Sequence, residues 1–556
     1  MIMKKIAYIL TGMCLLLFPA CEIEDKGHYD YTPLNELTIE GIESAYHLLA
    51  QVDDLNIEPK ITASVPTDEA NYEYSWFFCS GSDHQHTQIS TEKDLHWSVT
   101  LNPGNYTLYF QVKDKSSELQ WIESTDITIT TDYTTGFLLL GDEPGSDRLR
   151  MDMIMTRIGT DTLVGERVFV PETNLTNAER LLFSGSGGSI MGMDMDTNKD
   201  LYVLTENQDV KITSGTYFKE LGDFNTLGII ETEMAHAEPI RVKDVFPHPT
   251  YGSNPSTTYR GRSIRGYITE DMIFTASIIQ AEYFSTPINK YSENSTQLFR
   301  PYPLAFGQGA CAYNKFYPIF YDMDAQRFVT IDRKSTAGLY SAPSFGTIGC
   351  CQEMDDHEGE PFPWDQTSVG RSLVYGENGY KNGGDSYALM VDQEGNYCIY
   401  VFRTAASGTW LSFTHSKRGY YPIEATAQSF DQASHYAFLS DKYVILYSVG
   451  SMLYAYDYTR QQLASMDMGA EITCLETEYL SAGSLTDIIL ATFDEGTGTG
   501  TVRKLTIGGG NNNVTIEEKP KEIWPVTMRV KDILWKNSGD NTLETDLLAE
   551  SNDETE

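Results

Sequence analysis

Positive charge is scarce in this chain. Forty Lys and Arg stand against 79 Asp and Glu, a formal net charge of −39 over 556 residues. Phosphate recognition runs on clustered Lys and Arg, so this balance argues against nucleic acid and against a polybasic hold on anionic lipid. Acids spread along the chain suit the solubility of an exposed protein. Long apolar runs are missing too: the one starting at Ile6 is about a dozen residues, short of the ~20 that span a bilayer. Enzyme signatures are absent, with no HExxH, GxSxG or P-loop pattern. Nothing in the sequence demands a cofactor. Of eight cysteines, Cys14 and Cys21 belong to the N-terminal segment. Cys79, Cys311, Cys350, Cys351, Cys398 and Cys474 are scattered, without a CxxC pair, so disulfides and free buried thiols both stay open.

What is present begins with Lys4 and Lys5, the apolar run, and Leu17-Phe18-Pro19-Ala20-Cys21. A basic start, a short apolar segment and a small residue before a cysteine make residues 1–20 a lipoprotein signal peptide, with Cys21 as the lipidated residue. Two or more acyl chains hold a protein firmly where one does not. Residues 21–34 form a polar, acidic tether. Its Glu22, Glu24 and Asp25 resemble the surface-export signal of Bacteroidota-type lipoproteins, which implies a lipid-anchored place on the outer face of the outer membrane.

Aromatic residues make up 12% of the chain, with 35 Tyr, and favour pleated, half-buried surfaces. The expected class is all-β, and at this length more than one domain. Residues 35–132 show short alternating runs typical of a small β-sandwich. In Gly104–Asp114, Tyr106, Leu108, Phe110 and Val112 share one face. Tyr74–Phe78 is expected as a facing strand, with Trp76 between two sheets. This stretch resembles the polycystic-kidney-disease (PKD) family of immunoglobulin-like domains, through its Gly-x-Tyr start and Val-x-Asp end. The family's WDFGDG-type motif is absent, and Tyr74-Ser75-Trp76 stands in its place. The order of lipid cysteine, acidic tether, sandwich and the opening Gly136-Phe137-Leu138-Leu139-Leu140 resembles the PKD-like lipoproteins of Bacteroidota.

Residues 136–536 repeat short apolar strands, among them Leu201–Thr205, Tyr317–Tyr321, Tyr387–Val391, Tyr443–Tyr447 and Asp487–Ala491, most followed by an Asp, Asn or Gly turn. About 400 residues at ~45 to 55 per unit predict a β-propeller of seven or eight blades; a large two-sheet sandwich is the competing architecture. Residues 537–556 are acidic without Lys or Arg and are expected as a disordered tail.

Candidate sites are few. Asp194, Asp196, Asn198 and Asp200 imitate the start of a calcium loop, yet Lys199 occupies the glycine position and Thr205 the bidentate glutamate position, so a hairpin turn accounts for them and no metal site is expected. Asp355-Asp356-His357-Glu358-Gly359-Glu360 is an acidic loop. Aromatic side chains in or near loops, Tyr251, Trp364, Trp410, Tyr420 and Tyr421, are candidates for stacking on a sugar ring or a peptide side chain. The family resemblance implies a non-catalytic accessory subunit of a SusC/SusD-type uptake pair, capturing peptide or oligosaccharide. A propeller-based hydrolase or lyase acting on the same oligomer, and a purely structural scaffold, are the alternatives.

Overall fold

The computed structural model describes residues 35–536 apart from 50–52, 81–84, 100, 102–103, 131–135, 156–162, 184–187, 191–192, 196–200, 214–217, 228, 231, 235, 237–238, 247, 249–263, 278–285, 308–317, 333–348, 380–383, 407–412, 478–485 and 510–512. The residues expected as signal peptide and tether, with Cys21, Glu22, Glu24 and Asp25, and those expected as an acidic tail lie outside the described residues. Among the described residues the structure is built of strands, turns and single 3-10 turns, and no helix is long and apolar enough to cross a membrane. They divide into two compact units, with the boundary at Thr130 and Thr131.

The first unit holds a five-stranded sheet in the order Ala45–Leu49, Gln120–Thr130, Gly104–Asp114, Tyr72–Ser80 and Gln85–Ser90. The first pair is parallel and the rest antiparallel. Tyr106, Leu108, Phe110 and Val112 point into one core with Trp76, Phe78, Leu55 and Leu95. Trp76 is 0% exposed, stacks on Phe110 at 4.4 Å and donates its indole N–H to the Lys93 carbonyl. Tyr72–Ser80 and Gly104–Asp114 are direct neighbours, Trp76 opposite Phe110, and not facing strands. Period-two alternation fixes which face a residue takes but leaves its hydrogen-bonded partner open. The facing layer is the pair Asp54–Ile57 and Leu95–Ser98.

Among the described residues the second unit is a series of seven antiparallel sheets of three or four strands, taken up in chain order with one exception, and a separate two-stranded hairpin, Gly188–Ile190 with Met193–Met195. Sheet 1 has the order Leu163–Phe169, Leu149–Met155, Gly136–Asp142 and Arg529–Lys536, so the unit's first strand pairs with its last. Sheet 2 comprises Ala178–Phe183, Leu201–Thr205, Val210–Ile212 and Glu220–Asp223, and sheet 3 Val242–Phe246, Ile264–Thr269 and Ile273–Ser277. Sheet 4 contains Ile319–Asp322, Arg327–Ile331 and Cys351–Glu353, with Pro301 and Phe306 bridging onto its first strand. Sheet 5 is Arg371–Asn378, Ser386–Asp392, Tyr397–Ala406 and Phe413–Pro422. Sheet 6 is His435–Phe438, Val444–Val449, Met452–Asp457 and Gln462–Asp467; sheet 7 is Glu471–Thr477, Asp487–Asp494, Thr499–Gly508 and Thr515–Val526.

A small sheet buries its faces only against neighbours. Here every consecutive pair of sheets shares one apolar cluster, and the seventh pairs with the first. Met151 meets Val203 between sheets 1 and 2, Tyr202 meets Phe274 between 2 and 3, and Phe246 meets Phe320 between 3 and 4. Phe328 and Phe402 join 4 to 5, Leu389 and Tyr447 join 5 to 6, and Leu446 and Leu490 join 6 to 7. Ile489 and Leu139 complete the cycle from 7 to 1. This is a propeller-like arrangement. Its closure depends on Gly141: a Cβ there would stand 2.0 Å from the Arg529 carbonyl oxygen across the ladder.

The continuous apolar runs of the sequence are the second strands of sheets 2, 5, 6 and 7 and the first strand of sheet 4, buried on both faces. Their hairpin turns are held by aspartate: Asp322 Oδ1 accepts the N–H groups of Asp324 and Ala325, and Asp392 Oδ1 those of Glu394 and Asn396. Sheet 1 carries a buried ion pair, Arg150 on both oxygens of Asp152 at 2.9 Å, with Arg150 also donating to the Thr527 carbonyl.

Candidate ligand-binding cavity

Edge strands of neighbouring sheets converge on one place. Arg529–Lys536 touches both Ala178–Phe183 and Glu471–Thr477, and His435–Phe438 touches Glu471–Thr477 and Arg371–Asn378. Between them lies a cavity of about 390 Å³. Its polar lining includes Arg180, Tyr302, Tyr375, Glu377, Glu476 and Asp532, contributed by sheets 2, 5, 7 and 1 and by the segment leading into sheet 4.

Several of these groups also join neighbouring edge strands. Asp532 Oδ2 accepts the Leu181 N–H at 2.6 Å, Glu377 Oε2 the Phe438 N–H at 2.8 Å, and Asp244 Oδ2 the Ala305 N–H at 3.0 Å. Tyr302 accepts from the Gly376 N–H and Tyr375 donates to Glu377. Isolated carboxylates away from water are costly, and here the amide hydrogen bonds offset part of that cost.

Two cavity groups stand apart from this network. Among the described residues, Arg180 and Glu476 make no hydrogen bond to the protein, and no ion pair joins them. Burial works against the charge of Arg180, but Asp244, Asp532 and Glu476 outweigh it and raise its pKa. Burial pushes Glu476 well above the usual carboxylate range, and Asp532 and Glu377 add to the shift. Asp532 is raised for the same first reason, eased by Arg180. Glu377 is pushed up to about 8 by burial, against the hydrogen bonds from Phe438 and Tyr375. Cys474, Glu476 and Asp532 bring donor atoms within 4.8 Å of one another. The thiol of Cys474 is held neutral by burial, and a cationic Arg180 beside the two carboxyls opposes a metal ion, so these residues do not fit a metal centre.

The residues singled out from sequence lie elsewhere. Trp364 is 3% exposed and packs edge-on against Phe328, Phe362 and Phe402 in the core between sheets 4 and 5. It is a core residue because the acidic loop is drawn inward: Asp356 and Glu360 pair with Lys417, whose ammonium sits 4.9 Å from the Trp364 ring. Tyr420 takes a hydrogen bond from Arg371, and Tyr421 packs beside Tyr458. Tyr251, Trp410, Asp196, Asn198, Asp200 and Cys311 lie outside the described residues; Asp194 sits in the hairpin Gly188–Ile190 and Met193–Met195. Cys350, Cys351, Cys398 and Cys474 are buried free thiols. The signal that sequence reading missed is a charge inside an apolar edge strand, as in Arg180-Leu181-Leu182-Phe183, Cys474-Leu475-Glu476 and Asp532-Ile533-Leu534.

The fold and the cavity thus define an all-β protein with a sandwich at its N-terminus and a propeller-like body around a polar centre. Residues 22–173 match the PKD-like family, a stretch that takes in the sandwich and the opening strands of sheet 1. No curated protein matches the chain. Among solved structures, a quinoprotein alcohol dehydrogenase-like protein of Bacteroides thetaiotaomicron is 13% identical over 89% of this chain and 98% of its own, with a TM-score of 0.42. The WD40 domain of SCAP from fission yeast is 8% identical over 66% and 76%, with a TM-score of 0.29. SGBP-B of a Bacteroides ovatus mixed-linkage glucan utilization locus, solved in complex with a mixed-linkage heptasaccharide, is 11% identical over 69% and 70%, with a TM-score of 0.15. At this level of similarity, what those proteins bind or catalyse stays theirs.

Proposed function

We propose that this chain is a lipoprotein, anchored through Cys21 and displayed on the cell surface, in which a seven-bladed propeller is the binding module and the PKD-like sandwich a spacer. Seven sheets and seven shared clusters in cyclic order support the blade count. The observation that carries a binding role is the polar cavity where the edge strands meet, with Arg180 and Glu476 unengaged by the protein. Small-ligand sites are concave, of ~300–1,000 Å³, with a few convergent polar groups. The protein works as a non-catalytic subunit beside a SusC/SusD-type outer-membrane uptake pair, holding peptide or oligosaccharide before import.

Purification of the anchored protein from its own outer membrane in mild detergent, followed by mass spectrometry of stoichiometric companions, tests this. Recovery with a transporter barrel and its lid lipoprotein is the expected result. Recovery alone, together with turnover of a peptide or glycan by the pure protein, overturns it in favour of an enzyme; recovery alone without ligand affinity overturns it in favour of a scaffold.

A further inference from the structure

The charge pattern of the cavity specifies more than a binding role. Three pairs around its wall are already satisfied: Glu179 with Arg241 and Lys243, His248 with Asp244, and Lys531 with Asp142. What remains is one guanidinium, Arg180, against the carboxyls of Glu377, Glu476 and Asp532. Glu377 and Asp532 each hold a backbone N–H of a neighbouring sheet. Among the described residues the Arg180 and Glu476 side chains hold no partner, and the Glu476 and Asp532 oxygens that face each other lie within 4.8 Å. A guanidinium presents five N–H donors in a planar fork matched to a carboxylate. Closely set carboxyls without a cation between them keep protons, and an incoming ammonium takes the place of those protons.

A ligand that carried only an anion would meet three carboxyls around Arg180. One that carried only a cation would leave the guanidinium unmatched. A ligand bearing both charges a few ångströms apart satisfies the two sides together. Resting on the binding role argued above, we propose that the cavity takes a short zwitterionic ligand, a free amino acid or an unblocked dipeptide, with its carboxylate on Arg180 and its ammonium on Glu476 and Asp532.

Isothermal titration of the full-length protein in mild detergent tests this with defined probes. These are a pool of free amino acids and unblocked dipeptides, the same pool N-acetylated, the same pool C-amidated, a neutral gluco-oligosaccharide, and Ca²⁺ alone. The expected result is binding of the unblocked pool, weakened at least tenfold by either blocking group. In Arg180→Gln the penalty for amidation disappears, and in Glu476→Gln the penalty for acetylation shrinks, while free peptide binds more weakly to both. Thermal melts of both variants report whether the fold survives; the blocked pools on the unaltered protein decide the matter even if it does not. Equal binding of free and blocked peptide, or binding of the oligosaccharide or Ca²⁺ in preference to peptide, overturns the zwitterion assignment and leaves a binding role standing. Binding of none of these probes overturns the assignment, and a protein also recovered without a transporter loses the binding role with it.

Discussion

Asp532 accepts the Leu181 N–H at 2.6 Å although 351 residues separate them. The bond ties the last strand of sheet 1 to the first strand of sheet 2 and places Arg180, one residue earlier, at the cavity wall. Asp532→Leu leaves that buried N–H without its acceptor, and a cost of ~1–3 kcal/mol is expected in denaturant unfolding. Asp532→Asn keeps an acceptor oxygen, so its loss is the smaller of the two; equal losses would show that the hydrogen bond is not what matters.

Stability falls with rising pH through Glu377. Its folded-state pKa, about 8, lies above the ordinary 4.5 because burial disfavours the charged form. Between these values the folded protein holds a proton that the unfolded chain has released, so ionisation of the unfolded chain favours unfolding as pH rises toward 8, and above 8 the destabilisation is complete. Glu476 and Asp532 shift in the same direction. Melting temperatures measured from pH 5 to 9 are expected to fall more steeply for the unaltered protein than for Glu377→Gln. Parallel profiles would exclude Glu377 as the source.

Asp152 is 0% exposed and meets Arg150 with both oxygens. Removing Asp152 leaves the buried Arg150 with the exposed Glu166 at 3.3 Å in place of its bidentate partner, so Asp152→Ala is expected to cost up to ~3–5 kcal/mol in chemical denaturation. Replacing both by well-packed apolar residues of similar volume is expected to cost far less, since burying two charges is itself expensive.

Trp364→Ala removes a ring from the core between sheets 4 and 5, with an expected loss of ~3–5 kcal/mol. Peptide affinity of the molecules that remain folded is expected to be unchanged, because Trp364 does not line the cavity. A stable Trp364→Ala protein with lost affinity would return this residue to the binding surface.

Cys21→Ala is expected to move the protein from the membrane fraction to the soluble fraction. A variant that still sediments with membranes would sink the lipid anchor.

What the sequence displayed was whatever is buried on both faces. Leu201–Leu204 and Ile488–Ala491 are apolar throughout because each is sandwiched between two sheets, and Asp322 and Asp392 mark the turns that follow Ile319–Asp322 and Ser386–Asp392. The cavity was illegible for the opposite reason. Arg180, Glu377, Glu476 and Asp532 sit on strands that are core on one side and cavity on the other, where a single charge is indistinguishable from an exposed one. Their convergence depends on sheets hundreds of residues apart. The loop tryptophan misled because Lys417, 53 residues beyond Trp364, neutralises the acidic loop that carries it inward.

The pairing of Asp142 with Arg529 has a consequence for biosynthesis. Arg529 follows Asp142 by 387 positions, and at ~5–20 residues per second a ribosome needs ~20–80 s to cover them. For that interval Gly136–Asp142 presents an apolar strand with one open edge, a template for pairing with other chains. A chain stalled or clipped before residue 529 never masks that edge, however well its other six sheets have formed. The eight residues Arg529–Lys536 therefore set the moment at which a nascent molecule stops being an aggregation hazard.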